Sequence, residues 1–290
     1  MKFEYFRFLL TPVKDPQLPF HGEVSREDII KDIFAKGKTY RFKSGRAQFG
    51  MTVDFFQNSL VSARIGKQTT KKLRSSPDEG FAIKNAEDWP GSCLFINLSD
   101  ERITGKTHEN GQIIAFSLNK IAIQNPKNCL RALADKINED LIHKGFYLTI
   151  NPIPTERKKF WTAAKEHEGK ICKVVLTYTA PNLFKIGSSL EDDLKEINKS
   201  FNTTSSQIVL ENDGGNIELP ENNKLLQETA KYIDLGGGSY KFHLSKGKKT
   251  ISSEDGIKTE TFDGLELTLE GSAGDKIENV LKQVLGIKND

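Results

Sequence analysis

Tyr40-Arg41-Phe42-Lys43-Ser44-Gly45-Arg46, followed by Phe49, Met51, Val53 and Phe55 at every second position, decides the fold class. In an extended chain Tyr40 and Phe42 point to one side while Arg41 and Lys43 point to the other. Ser44-Gly45-Arg46 is a turn, after which the apolar set resumes at period two. A third run, Leu60 to Ile65, follows a short turn at Gln57-Asn58. The three runs predict an antiparallel β-meander with one apolar face and one basic face. Ser92–Leu98 and Gln112–Leu118 read as two further strands, the second entered through the turn signal Glu109-Asn110-Gly111.

Upstream, the aromatic run from Met1 to Leu10 reads as a first strand. It is interrupted by Glu4 and Arg7 and has no small-residue cleavage site behind it, so it is not expected to be a secretory signal. Ser25-Arg26-Glu27-Asp28 caps a helix carrying Ile29, Ile30, Ile33 and Phe34, with Gly37 as its stop.

Downstream, the character changes. Lys120–Ile123 reads as a short strand, and Asn125-Pro126 as a cap with proline at the first helical position. The helix that follows carries Cys129, Leu130, Leu133, Ile137 and Leu141 and stops at Gly145. Phe146–Ile150 is a strand, a helix capped at Thr155 carries Phe160 and Trp161, and Ile171–Tyr178 is a strand. The pattern predicts a β-α-β-α-β unit. The last third alternates helices (Leu190 to Phe201, Leu225 to Ile233, Ile277 to Leu285) with strands near Gln207–Leu210, Tyr240–Leu244, Lys249–Ser252, Ile257–Phe262 and Leu265–Leu269. Gly236-Gly237-Gly238 ends the second of these helices. The expected class is α+β: an N-terminal β-meander with a β-α-β-α-β unit, followed by an α+β C-terminal region. At 290 residues two domains are expected, 1–183 basic and β-rich and 184–290 acidic, with the boundary in the proline- and glycine-containing stretch Ala180–Gly187.

Composition narrows the function classes. A hydrophobic share of 37% and a charged share of 28% belong to a globular chain with a real core, not to a disordered one. No apolar run approaches the roughly 20 residues of a bilayer-spanning helix, so no membrane partner is expected. Cys93, Cys129 and Cys172 are odd in number and sit in or beside apolar stretches, which fits a reducing, cytoplasmic compartment.

The net charge of +3 hides a polarity. From Lys36 to Arg74 there are ten basic residues and one acid, Asp54, whereas from Ser188 onward there are 12 basic and 19 acidic residues. Such asymmetry points to a polyanion-facing end. Arg41, Lys43, Arg46, Arg64, Lys67, Lys71, Lys72 and Arg74 are the candidate phosphate-gripping set, with Gln68-Thr69-Thr70 supplying further donors. Tyr5 and Phe56 are the candidate stacking platforms. The acidic C-terminal region offers a surface for a protein partner or a second copy.

Catalytic motifs are absent. No two of the histidines His21, His108, His143, His167 and His243 stand at ligand spacing, and no phosphate loop or nucleophile elbow occurs, so no catalytic residue, metal or cofactor is assigned. Arg102 and His108 have the spacing of a ribonuclease motif but lie in a β segment. Glu168-Gly169-Lys170 and Asp193-Leu194-Lys195 have acid-any-lysine spacing without the strand setting a metal-dependent nuclease needs.

Trp89-Pro90, Asn151-Pro152-Ile153-Pro154, Phe160-Trp161, Ala180-Pro181-Asn182-Leu183-Phe184 and Gly236-Gly237-Gly238 together carry a diffuse likeness over most of the chain. The layout resembles uncharacterised bacterial proteins of mobile-island and antiphage defence loci. The resemblance implies a bacterial cytoplasmic setting and a role in sensing or acting on foreign nucleic acid or phage protein, and it transfers no residue roles. The sequence expectation is therefore a nucleic-acid-binding component of a defence-type system. A protein-interaction or oligomerisation module and a cryptic metal-dependent nuclease are the alternatives.

Overall fold

The structure, a computed structural model, describes residues 1–13, 26–99, 111–119, 121–180, 189–245, 249–263 and 274–287. In chain order the elements are β1 (Lys2–Pro12), α1 (Arg26–Ile33), β2 (Thr39–Ser44), β3 (Ala47–Gln57), β4 (Leu60–Lys67), β5 (Thr69–Arg74), β6 (Ile83–Asp88), β7 (Gly91–Asn97) and β8 (Ile113–Ser117). They continue with α2 (Pro126–Leu141), β9 (Phe146–Pro152), α3 (Phe160–Glu166), β10 (Ile171–Thr179), α4 (Ser189–Phe201), β11 (Ser205–Glu211), α5 (Lys224–Asp234), β12 (Gly238–Leu244), β13 (Thr250–Ser252), β14 (Thr259–Thr261) and α6 (Gly274–Val284). The α+β class follows directly. Among the described residues no helix is long and apolar enough to cross a membrane.

The larger sheet is antiparallel throughout and runs β14-β1-β8-β7-β4-β3-β2. β1 is long enough to pair with β8 along one side and with β14 and then β9 along the other. The predicted meander is β2-β3-β4, joined at Ser44↔Ala47 by the two-residue turn Gly45-Arg46. Helix α2 touches β9 at one edge and β2 at the other, so the sheet curls around it. Its local cause is plain in the sequence. Asn125 accepts from the Asn128 amide at 3.0 Å, Pro126 occupies the first turn, and Gly145 takes φ +76° at the stop. The buried stripe Cys129, Leu130, Leu133, Ile137 and Leu141 then fills the concave face against Phe6, Phe8, Phe42, Phe49, Met51 and Phe116. Asn138 fixes the register by donating to the Leu148 carbonyl (2.9 Å) and accepting its amide (2.6 Å).

The convex face has its own small core. Phe3, Tyr5, Leu60, Phe95, Ile113 and Ala115 are covered by Leu281, Val284 and Leu285 at the end of α6. Because β1 is buried on both faces, its apolar residues form a nearly continuous run.

The second sheet, β11-β10-β12-β13, is also antiparallel and is packed by α3, α4 and α5. Gly236 takes φ +86° as the predicted helix stop. Gly238 is required for a different reason: a Cβ there would lie 2.1 Å from the Thr177 carbonyl oxygen of β10.

One expectation changes. The β-α-β-α-β unit does not form: residues 121–123 make a turn, and β9 and β10 lie in different sheets, β9 against β1 and β10 between β11 and β12. β9 is drawn to the free edge of β1, which must be paired to cover its backbone groups. The expected division at 183/184 runs through the second sheet, since β10 precedes it while β11 and β12 follow it. The strand expected at Leu265–Leu269, Arg102 with His108, and the stretch 181–187 lie outside the described residues.

Candidate nucleic-acid interface

The candidate cations are placed by the meander and by the segment that follows it. On β2, Arg41 and Lys43 are exposed and point away from the buried Tyr40 and Phe42. Arg46 is exposed in the β2–β3 turn. Lys67 stands opposite Phe49, so it shares the inward-pointing parity and is half-buried at the rim of the sheet. Beyond it the chain leaves the sheet and forms a separate two-stranded ribbon, β5 with β6. Lys71 lies on one face of this ribbon with Leu73, Lys84 and Ala86. Lys72 and Arg74 lie on the other with Thr70, Ile83, Asn85 and the acid Glu87. The eight residues thus do not share one sheet face. They occupy the outer face of the edge strand β2 (Arg41, Lys43), its turn (Arg46), the interior strand β4 (Arg64, Lys67) and both faces of a projecting ribbon (Lys71, Lys72, Arg74). The ribbon root stays close to the edge strand: the Gln68 amide donates to the Gln48 carbonyl at 2.8 Å, and Gln48 stands opposite Lys43.

Arg64 is not available in the way the sequence suggested. Its Nε and Nη2 donate to the two carboxylate oxygens of Asp54 at 2.7 and 2.8 Å. A β-bulge in β3 causes this. Val53 stands opposite Ala63 and Phe55 opposite Ser62, so Asp54 is the extra residue. The bulge also swaps the faces beyond it: Phe56 packs with the concave core and Phe55 with the convex one, against the expected period. Neither expected stacking platform is free, since Tyr5 is buried and Phe56 is packed.

Among the described residues Arg41, Lys43, Arg46, Lys67, Lys71, Lys72 and Arg74 have no ion pair. β6 and the ribbon tip return four acids the basic count stopped short of, Asp78, Glu79, Glu87 and Asp88. Three of these are engaged locally, Asp88 by accepting the Trp89 amide at 3.0 Å. Glu79 pairs with Lys84 at 2.5 Å, and Glu87 accepts from Trp89 Nε1 (2.7 Å) and Gln68 Nε2 (3.1 Å).

Trp89 is the residue sequence reasoning gave no role. Arg41, Gly50, Gly66 and Gly91 form one cross-strand row over β2, β3, β4 and β7. The indole lies along this glycine furrow: a Cβ on Gly50 would meet its ring at 3.4 Å, and one on Gly66 its Cβ at 3.4 Å. The usable signal was isolated glycine at outward strand positions, which marks a close approach. Beside the indole a cavity of about 370 Å³ is lined by Arg41, Thr52, Arg64 and Ser92.

A second polar cluster joins the two sheets. Arg7, 1% exposed, donates to the Gly111 carbonyl at 2.8 Å and to the Leu235 carbonyl. Nearby, the Asp234 carboxylate accepts the Phe160 amide at 2.9 Å and so caps α3 from another element, in place of the expected Thr155. Burial pushes the Asp234 carboxyl up to about 6. The raised value means the folded state disfavours its charge, so this cost is absent at low pH and grows as pH rises through about 6. Asp234→Asn keeps an acceptor for Phe160 without the charge. Relative to wild type, it should gain stability by about 2 kcal/mol between about pH 4 and pH 7.5, after allowing for partial exposure. Thermal melts of both proteins across that range check this, and an unchanged difference contradicts it.

Among the described residues no group of three or more histidine, cysteine, aspartate or glutamate side chains converges to hold a metal ion. No protein-family model, curated protein or solved structure matches the chain.

Proposed function

We propose that this protein binds nucleic acid, DNA or RNA, as a component of a bacterial antiphage defence-type system. The unpaired cations of β2, the Gly45-Arg46 turn and the β5–β6 ribbon hold the phosphate backbone. The observation that carries this reading is the clustering of cations without an ion pair on β2, its turn and the ribbon that follows β4. Some lysines elsewhere are matched, such as Lys127 with Glu254, Lys144 with Asp32, Lys165 with Glu221 and Lys173 with Glu211, while others such as Lys2, Lys170 and Lys241 stand singly without an ion pair among the described residues. The seven candidate cations other than Arg64 have no ion pair among the described residues, whereas Lys38 of the same segment pairs with Asp32. Unmatched cations gather no intramolecular gain and are free to displace the counterions of a polyanion. The defence-type setting follows from the diffuse sequence resemblance.

Fluorescence anisotropy against labelled single- and double-stranded DNA and RNA, with and without magnesium, tests the reading. Binding at about 50 mM salt that weakens steeply toward about 200 mM supports it. Absence of binding at the lower salt overturns it, and magnesium-dependent loss of the intact probe would assign a nuclease instead.

A second reading has its own observation. β11 is an edge strand with Val209 and Leu210 exposed and only Glu211 charged. An edge so lightly protected is a template for a strand of a protein partner or of a second copy. Under that reading, Val209→Lys should abolish a self-associated species seen by light scattering.

A further inference from the structure

The indole of Trp89 lies flat on the outer face of the larger sheet and is only half-buried there. A Cβ on Gly50 would lie 3.4 Å from Cζ3 and 3.9 Å from each of its ring neighbours, Cε3 and Cη2. That pattern is an approach to the ring face, since an approach to the ring edge would hold both neighbours farther off. One indole face therefore rests on the glycine furrow and the other turns away from the sheet. A row without side chains is what lets a ring lie so close to the strands. The side chain is also fastened along its length. Its amide donates to Asp88 Oδ1 at 3.0 Å and its Nε1 to Glu87 Oε1 at 2.7 Å. Packing of the fold accounts for none of this. Trp89 belongs to none of the three hydrophobic cores, and among the described residues no second aromatic ring packs on it. An aromatic face is thus held in place and left open to a ligand.

We infer that Trp89 is a stacking platform for one unpaired base of a single-stranded nucleic acid, whose adjoining phosphate is held by Arg41. The inference rests on the nucleic-acid reading above and adds the strandedness of the preferred target. The occupant is chosen by the shape and position of the ring and not by net charge. The carboxylates beside the ring, Glu87 and Asp88, are the ones that fasten it, and Asp54 is bound by Arg64. Arg41 ends the glycine row, and Lys43 follows it on the same face of β2. Both are exposed and have no ion pair among the described residues. The cavity of about 370 Å³ beside the indole, lined by Thr39, Arg41, Thr52 and Arg64, is the space a base would fill. Every base has a planar π-face, so an aromatic ring beside a guanidinium receives a base together with its phosphate whatever the sequence. Bases inside a duplex have both faces covered by their neighbours and cannot reach such a ring. A duplex therefore meets only the cations, whereas a single strand meets the cations and the indole.

The test uses the full chain with a labelled single-stranded oligonucleotide of about 15 nucleotides and a duplex of the same length. The wild-type protein should bind the single strand roughly tenfold more tightly than the duplex. Trp89→Ala should remove that advantage and leave duplex affinity and salt slope unchanged, and Trp89→Phe, which keeps a ring, should retain most of it. A second measurement leaves Trp89 untouched. The chain has two tryptophans, Trp89 and Trp161, so Trp161→Phe makes Trp89 the sole indole emitter. The single strand should quench its emission and the duplex should not. Equal wild-type affinity for the two probes, an unquenched Trp89, or a Trp89→Ala protein that binds the single strand as tightly as wild type overturns the platform while the phosphate-binding reading stands. Parallel loss of single-strand and duplex affinity in Trp89→Ala also overturns it, because the indole would then act by holding the sheet. No binding of either probe at about 50 mM salt overturns both.

Discussion

Replacing Lys71, Lys72 and Arg74 together by alanine should weaken duplex binding roughly 150-fold at about 0.15 M salt. Each phosphate contact contributes about 0.9 to the slope of log K against log salt, so losing three lowers the slope by about 2.7. All three side chains are exposed on the ribbon, on both of its faces, and have no ion pair among the described residues. Folding stability should therefore stay within about 0.5 kcal/mol of wild type. The informative control is Arg64→Ala. Its guanidinium is held by both oxygens of Asp54, which also keeps it firmly charged. Its removal should leave the salt slope nearly unchanged. Equal effects of the triple change and of Arg64→Ala would show that charge count alone matters and not availability. Anisotropy titrations at four or more salt concentrations give both slopes.

The second large effect concerns stability. Phe160→Ala should destabilise the fold by about 3–5 kcal/mol, the cost of emptying a large buried aromatic site. Phe160 is fully buried at the centre of the second core. Its ring meets Trp161 at 5.0 Å, Phe242 at 5.3 Å and Tyr240 at 5.5 Å, each edge to face. The same residue begins α3, and its amide is the one Asp234 accepts. The loss corresponds to a fall of about 10 °C in the melting midpoint of a chain this size. A fall under about 2 °C in calorimetry would mean the second sheet and its helices are not organised around this ring.

The parts legible in the sequence are those where one local signal decided the outcome. Asn125-Pro126, the stripe from Cys129 to Leu141 and Gly145 specify α2 without reference to anything else, and it forms as read. Arg41 and Lys43 alternate with Tyr40 and Phe42, and the structure keeps that alternation. Three things were not legible, each for a physical reason. The bulge at Asp54 adds one residue to a strand, and only pairing with β4 reveals it. Until then Phe55 and Phe56 are assigned to the wrong faces and Arg64 looks free. The ribbon is exposed on both sides, so it lacks the apolar alternation by which strands are recognised. The separation of β9 from β10 depends on which edge is open, a property of the assembled sheet and not of either segment.

The same limits explain the candidate site. Residue type and charge located the basic segment, and the structure redistributed it. Arg64 was removed by its partner, Lys67 was turned to the rim, and the remaining cations were divided between β2 and the ribbon.

The central claim is that unpaired cations of β2 and the ribbon hold phosphates. Its most direct test is the salt dependence of duplex binding by the unmodified protein between about 50 mM and about 200 mM salt. Engagement of five to seven cations gives a slope of about −4.5 to −6.3, which is the expected result. A slope near zero, or no measurable binding at the lower salt, would contradict the claim.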